Sequence, residues 1–145
     1  MAENTVFRVF DGTASDNHIG LAVYESGDGQ CKLCDDSHMP LGIVVSREGN
    51  NYSIASNGSY AFAIAGGTIP ASYSTDGNSN LLTVDDNSKV VTFAPSASGS
   101  FGMTMVIGSL HQRVANTEAT SGQIVEIFVN PTYVPSVLAI AASNP

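Results

Sequence analysis

The sequence predicts an all-β domain: a compact antiparallel β-barrel or β-sandwich with extended N- and C-terminal arms. Three observations predict it. Apolar residues alternate with small or polar ones over much of the chain, the period of a half-buried strand. Turn-forming clusters interrupt these stretches every 8–12 residues or so, roughly the spacing of a sandwich or barrel. Charged residues are only 12% of the chain, about half the usual share of roughly 25%. Ser, Thr, Asn and Gly carry the polar surface instead, a composition suited to strands and tight turns.

The clearest alternation is Ser59–Ala65, with Tyr60, Phe62 and Ile64 on one face and Ala61, Ala63 and Ala65 on the other. The large face is expected to fill a core, and the alanine face to let another backbone approach. Phe101, Met103, Met105 and Ile107 form a second alternating set, expected to be core. In Gly122–Val129 both faces are largely apolar, which predicts a central strand. Further strands are expected at Val6–Phe10, Ile19–Tyr24, Gln30–Cys34, Leu41–Arg47, Tyr52–Ala55 and Lys89–Phe93. Asp11-Gly12, Gly27-Asp28-Gly29, Glu48-Gly49-Asn50-Asn51, Asn57-Gly58, Asp76-Gly77-Asn78 and Asp85-Asp86-Asn87 separate them as turns. Leu110, Val114 and Thr117 have helical spacing and are compatible with a short helix.

A chain of 145 residues fits one domain and buries enough surface for a core without disulfides or metals. Residues 1–18 read as an N-terminal arm and first strand, 19–130 as the body, and 131–145 as a C-terminal arm. Pro131, Pro135 and Pro145 surround Val137-Leu138-Ala139-Ile140, which makes a poor inner strand. Tyr133, Val137, Leu138 and Ile140 are the expected partner-binding residues. The net charge of −8 with scattered Lys and Arg argues against nucleic acid, whose phosphates need clustered cations. No apolar stretch reaches the roughly 20 residues that span a bilayer, and no leader is evident, so neither membrane nor export is expected.

The residues that could carry chemistry read as structural. Cys31 and Cys34 have redox or zinc spacing. On an extended strand, however, their Cα atoms would lie roughly 10 Å apart on opposite faces, where a disulfide wants about 4.4–6.8 Å. Zinc would need further ligands; His38, Asp35 and Asp36 are near, but no second Cys or His pair exists. Ordinary reduced cysteines are expected. Asp76, Asn78 and Asn80 imitate the start of a calcium loop, but Leu81 and Asn87 stand where such a loop needs Gly and Glu. His18, His38 and His111 are scattered among polar residues and read as surface groups. Gly66-Gly67 lacks the Lys and helix of a phosphate loop. Carboxylates are paired only as neighbours, at Asp35-Asp36 and Asp85-Asp86. No catalytic, cofactor-binding or metal-ligating residue is assigned.

The order of segments resembles the small decoration, or cement, proteins of tailed-phage capsids. Gly29-Gln30-Cys31-Lys32-Leu33 and the turn Asp35-Asp36-Ser37 lead to Pro40-Leu41-Gly42-Ile43-Val44-Val45. Gly67-Thr68-Ile69, Asp76-Gly77, Lys89-Val90-Val91, Gly108-Ser109-Leu110 and Gly122-Gln123-Ile124-Val125-Glu126-Ile127 follow in the family's order. Ala71-Ser72-Tyr73 departs from the family's Gly-Asp, and the proline-bearing tail is not part of its pattern. The resemblance implies a β-barrel or sandwich on the capsid exterior of a virion, made in the host cytoplasm. It implies binding to assembled major capsid protein, often as a homotrimer, and carries over no catalytic residue. The alternative is a surface-binding module for glycans or a receptor, using tyrosines as platforms. An enzyme is the third reading, and a non-enzymatic chain is expected.

Overall fold

A computed structural model describes residues 4–69, 81–94, 102–113 and 119–136. The described chain is all-β. Its strands are β1 (Thr5–Phe10), β2 (Ala22–Gly27), β3 (Gln30–Leu33), β4 (Gly42–Glu48), β5 (Asn51–Ala55), β6 (Tyr60–Ile64), β7 (Leu81–Val84), β8 (Val90–Thr92), β9 (Met103–Arg113) and β10 (Ile124–Pro135). One 3-10 turn, Asp16–His18, is capped by the Ser15 side chain. Where a short helix was the alternative, Leu110–Arg113 continue β9; residues 114–118 lie outside the described residues.

The first five strands close a barrel in the order β1-β3-β2-β4-β5. All neighbours are antiparallel except β1 and β3, which run parallel with Phe10 beside Cys31. The all-β, largely antiparallel fold is the one expected, and the single parallel pair has a simple reason: an odd number of strands cannot close with every neighbour reversed. The other five form a sheet in the order β6-β10-β9-β7-β8. β10 lies between β6 and β9, the inner position that its apolar residues predicted. β7 had not been expected. It has only four residues, Leu81-Leu82-Thr83-Val84, too few for an alternating pattern to show.

Two apolar cores result. Phe10, Val23, Cys31, Val44, Tyr52 and Ile54 fill the barrel. Ala22, Cys34, Ile43 and Ala55 point out of the barrel and join Ala61, Ala63, Ala65, Leu82, Ile107, Val125, Ile127 and Val129 of the sheet in a second core. Consecutive residues of one strand, Ala22 and Val23, Ile43 and Val44, or Ile54 and Ala55, thus serve different cores.

Direct hydrogen bonds tie the barrel to the sheet. Gly20 N–H donates to Val44 O at 2.8 Å, and Ile64 N–H donates to Gly20 O at 2.9 Å. Gly20 sits at φ +94°, and a Cβ there would lie 2.8 Å from Ile64 Cγ1, so only glycine fits this crossing. Beside this crossing Ser88, buried and at φ 67°, donates its Oγ–H to Cys34 O at 2.6 Å. Its own carbonyl accepts Ala22 N–H at 2.8 Å.

The orientation of β6 is the reverse of that expected. Ala61, Ala63 and Ala65 are buried, while Tyr60 and Phe62 face outward, Phe62 with 58% of its surface exposed. Small side chains pack against the barrel because the two layers approach closely there, leaving no room for an aromatic ring. Ala63→Leu should therefore lower stability by about 1–3 kcal/mol. Phe62→Ser should stay within about 0.5 kcal/mol of the parent. Urea unfolding of the two variants checks this; a larger loss for Phe62→Ser would mean that the ring belongs to the core.

Candidate functional site

The outward face of the sheet carries the strongest feature. On β6 and β10 the pairs Tyr60–Phe128, Phe62–Glu126 and Ile64–Ile124 stand side by side. Their partners in the ladder alternation, Ala61, Ala63, Val125 and Ile127, point inward and are buried. Farther along β10, Tyr133 lies opposite Met105, and Pro135 opposite Met103. Tyr60, Phe62, Ile124, Met103 and Tyr133 are all well exposed, Tyr133 at 56%. Glu126 is the acidic group among them, and His111 Nε2 lies 3.7 Å from its Oε1. The Tyr60 ring packs on both His111 and Phe128, with centroids 4.5 and 5.2 Å apart. The result is two groups of exposed aromatic and aliphatic side chains, one around Tyr60, Phe62 and Ile124 and one around Met103 and Tyr133, separated along β10 by the register shift between Val129 and Thr132.

Two expectations are corrected on this face. The alternating set of β9 is core only in part: Ile107 is buried, Met103 is exposed, and Phe101 lies outside the described residues. The tail also begins later than expected, because Pro131–Pro135 complete β10. The prolines fit because of where their nitrogens point. Ser136 N–H donates to Gly102 O at 2.9 Å. With the β9–β10 register, that bond directs Thr132 and Val134 toward β9 and Pro131, Tyr133 and Pro135 away from it. Proline is tolerated on such an edge, where no ladder bond is lost. Of the expected partner-binding residues, Tyr133 is on the exposed face, whereas Val137, Leu138 and Ile140 lie outside the described residues.

The histidines are less peripheral than expected. His18 packs against Phe10 and Tyr52, with its Nδ1 2.6 Å from the Tyr52 hydroxyl oxygen. That oxygen also accepts Ser15 N–H at 3.2 Å. Burial, then the nearby Arg47 guanidinium, lowers the His18 pKa. His38 stacks on Tyr24 at 3.9 Å and lies 2.7 Å from Asp35 Oδ1. The hydrogen bond to His38, with those to Ser37, brings the Asp35 pKa down to about 2. Tyr52 is fully buried, so it offers no platform to a glycan.

Cys31 and Cys34 are free thiols in different cores, Cys31 inside the barrel and Cys34 between barrel and sheet. Burial, then the Asp35 carboxylate, pushes the Cys34 pKa up to about 12, a thiol that stays protonated and unreactive. The two acidic neighbour pairs meet at the barrel–sheet boundary, where the Asp86 carboxyl beside Asp36 raises the Asp36 pKa. Among the described residues no group of three or more His, Cys, Asp or Glu could hold a metal ion, and no helix is long and apolar enough to cross a membrane. No protein-family model matches the chain, and no curated protein matches it significantly.

Two measurements test the buried groups. Because folding lowers the His18 pKa, the unfolded chain binds a proton first as pH falls below about 6.5. Stability is unaffected by His18 above that value and declines below it; His18→Gln should flatten the decline of the urea midpoint. An unchanged slope would show that other groups govern it. Iodoacetamide at mildly alkaline pH should leave Cys34 unmodified in the native protein and alkylate it after unfolding, as read by mass spectrometry.

Proposed function

We propose that this chain is a structural virion protein that decorates and stabilises a tailed-phage capsid by binding the assembled major capsid protein. The observation that carries the binding part of this reading is the outward exposure of Tyr60, Phe62, Ile124, Met103 and Tyr133. Clustered exposed aromatic and aliphatic side chains of this kind mark sites of protein association. The order of the sequence segments supports a capsid as the partner. The net charge of −8 favours approach to a basic protein surface. A shell repeats its surface many times, so modest contacts repeated by symmetry suffice for occupancy.

On this reading the sheet, rather than a cleft, does the binding, and the chemistry is desolvation of aromatic and aliphatic side chains. Of the expected arm, 131–145, residues 137–145 lie outside the described residues. Mixing the purified protein with expanded capsid shells and imaging them should give density at regular lattice positions. The double substitution Ile124→Asp with Tyr133→Asp should reduce occupancy about tenfold or more while leaving the circular dichroism spectrum unchanged. Deletion of residues 137–145 should also weaken occupancy without unfolding the domain. Full occupancy by the double variant would falsify the role given to the sheet face.

A further inference from the structure

β1–β5 form the barrel and β6–β10 the sheet, so the chain passes from one layer to the other once, between Ala55 and Tyr60. That crossing, Ser56-Asn57-Gly58-Ser59, holds the one Asn-Gly pair of the sequence. Among asparagines such a pair is the most prone to lose its side-chain amide spontaneously, because glycine has no Cβ to hinder approach of its backbone nitrogen. The reaction is a hydrolysis. The Gly58 nitrogen gives up its proton and bonds to Asn57 Cγ, and the side-chain nitrogen leaves with that proton as ammonia. Water then opens the cyclic imide at either carbonyl, giving aspartate or isoaspartate. One water is consumed and one ammonia released, and no other reactant is needed.

The geometry of the crossing opposes the first step. Ser59 N–H donates to Ser56 O at 3.0 Å, Gly58 stands at φ +93°, and Asn57 is outside the left-handed region. These features define a type II turn. The ψ of about +120° that such a turn sets at Asn57 points the Gly58 nitrogen away from the Asn57 Cβ. The 57–58 peptide is also gripped on both sides. Its N–H donates to Val129 O at 2.8 Å, and its carbonyl accepts from Asn4 Nδ2 at 2.8 Å. Ring closure requires this peptide to swing round, which breaks both bonds. Asn57 itself is exposed, so it is conformation that protects it and not exclusion of water.

Asn4, just ahead of β1, is the outer half of the grip. Its backbone N–H also donates to Ser59 Oγ at 2.8 Å. Its carbonyl accepts Ser56 N–H at 2.9 Å and Ser56 Oγ–H at 2.6 Å. The inner half is Val129 of β10. We infer that Asn57 is a deamidation site held closed by the fold: water converts it only when Asn4 and Val129 release the 57–58 peptide. Either product adds a carboxylate to a chain of net charge −8. Isoaspartate also adds an atom to the backbone of the crossing, so the turn no longer matches its partners on Asn4 and Val129. The site therefore keeps a chemical record of each opening between barrel and sheet, and it is independent of the partner assigned to the outward face.

The full chain is incubated at mildly alkaline pH, native or in urea. Mass spectrometry follows the peptide that contains Asn57, and enzymatic carboxyl methylation counts isoaspartate. Native Asn57 should react about tenfold or more slowly than Asn57 in urea, since only the opened fraction is competent. Asn4→Ala should speed the native reaction about fivefold, the effect of one lost hydrogen bond on an opening equilibrium. Its circular dichroism spectrum and its rate in urea should match those of the parent. Equal rates for the native and unfolded parent would overturn the proposal, as would a folded Asn4→Ala protein that reacts no faster than the parent. The comparison of native with unfolded parent decides even where the variant does not fold.

Discussion

Close approach of the barrel and the sheet is the constraint on which the rest of the molecule depends. It is met by small side chains: Ala22 and Ala55 on the barrel, and Ala61, Ala63 and Ala65 on the sheet, all within one core. Glycine completes it at position 20, where Ile64 packs against the backbone. Because interiors are filled to near-crystalline density, a ring at position 61 or 63 has nowhere to go. The large residues of β6 are therefore displaced to the outside, and the same packing that joins the two layers creates the apolar surface of the molecule. Stability and exposed surface are here two results of one arrangement.

Much of the fold was legible in the sequence because strand formation is local. Alternation at Val6–Phe10, Tyr52–Ala55 and Ile124–Val129, with turn residues between, places most strands within a few residues of where they lie. Which face points inward is a different matter. Alternation says that Tyr60, Phe62 and Ile64 share a side, but not which side meets the neighbour. The usual preference of large apolar residues for burial gives the wrong answer when the neighbour leaves room only for methyl groups. The parallel β1–β3 pair is equally invisible locally, since it follows from the number of strands that close the barrel. β7 is too short for a period to appear.

The candidate site was legible only at Tyr133, and then as part of an arm. Pro131 and Pro135 were read as the end of regular structure, yet their two-residue spacing is also that of positions on one side of a strand. The difference lies in whether the outward side of that strand is paired. A sequence shows that proline removes a donor; only the register shows that the donor would have faced away from β9. The histidines show the same limit. His18 is surrounded in sequence by Asp16, Asn17 and Ile19, but in space by Phe10 and Tyr52.

Ser88 has a further consequence. It holds a left-handed backbone conformation, which most side chains with a Cβ disfavour. It also bonds through its hydroxyl to Cys34 and through its carbonyl to Ala22. Together with the Gly20 crossing two residues before Ala22, this fastens both β6 and the β7–β8 turn to one short segment of the barrel, Gly20–Ala22. A pull applied to the sheet at these two bonds is therefore passed into the barrel through that short segment.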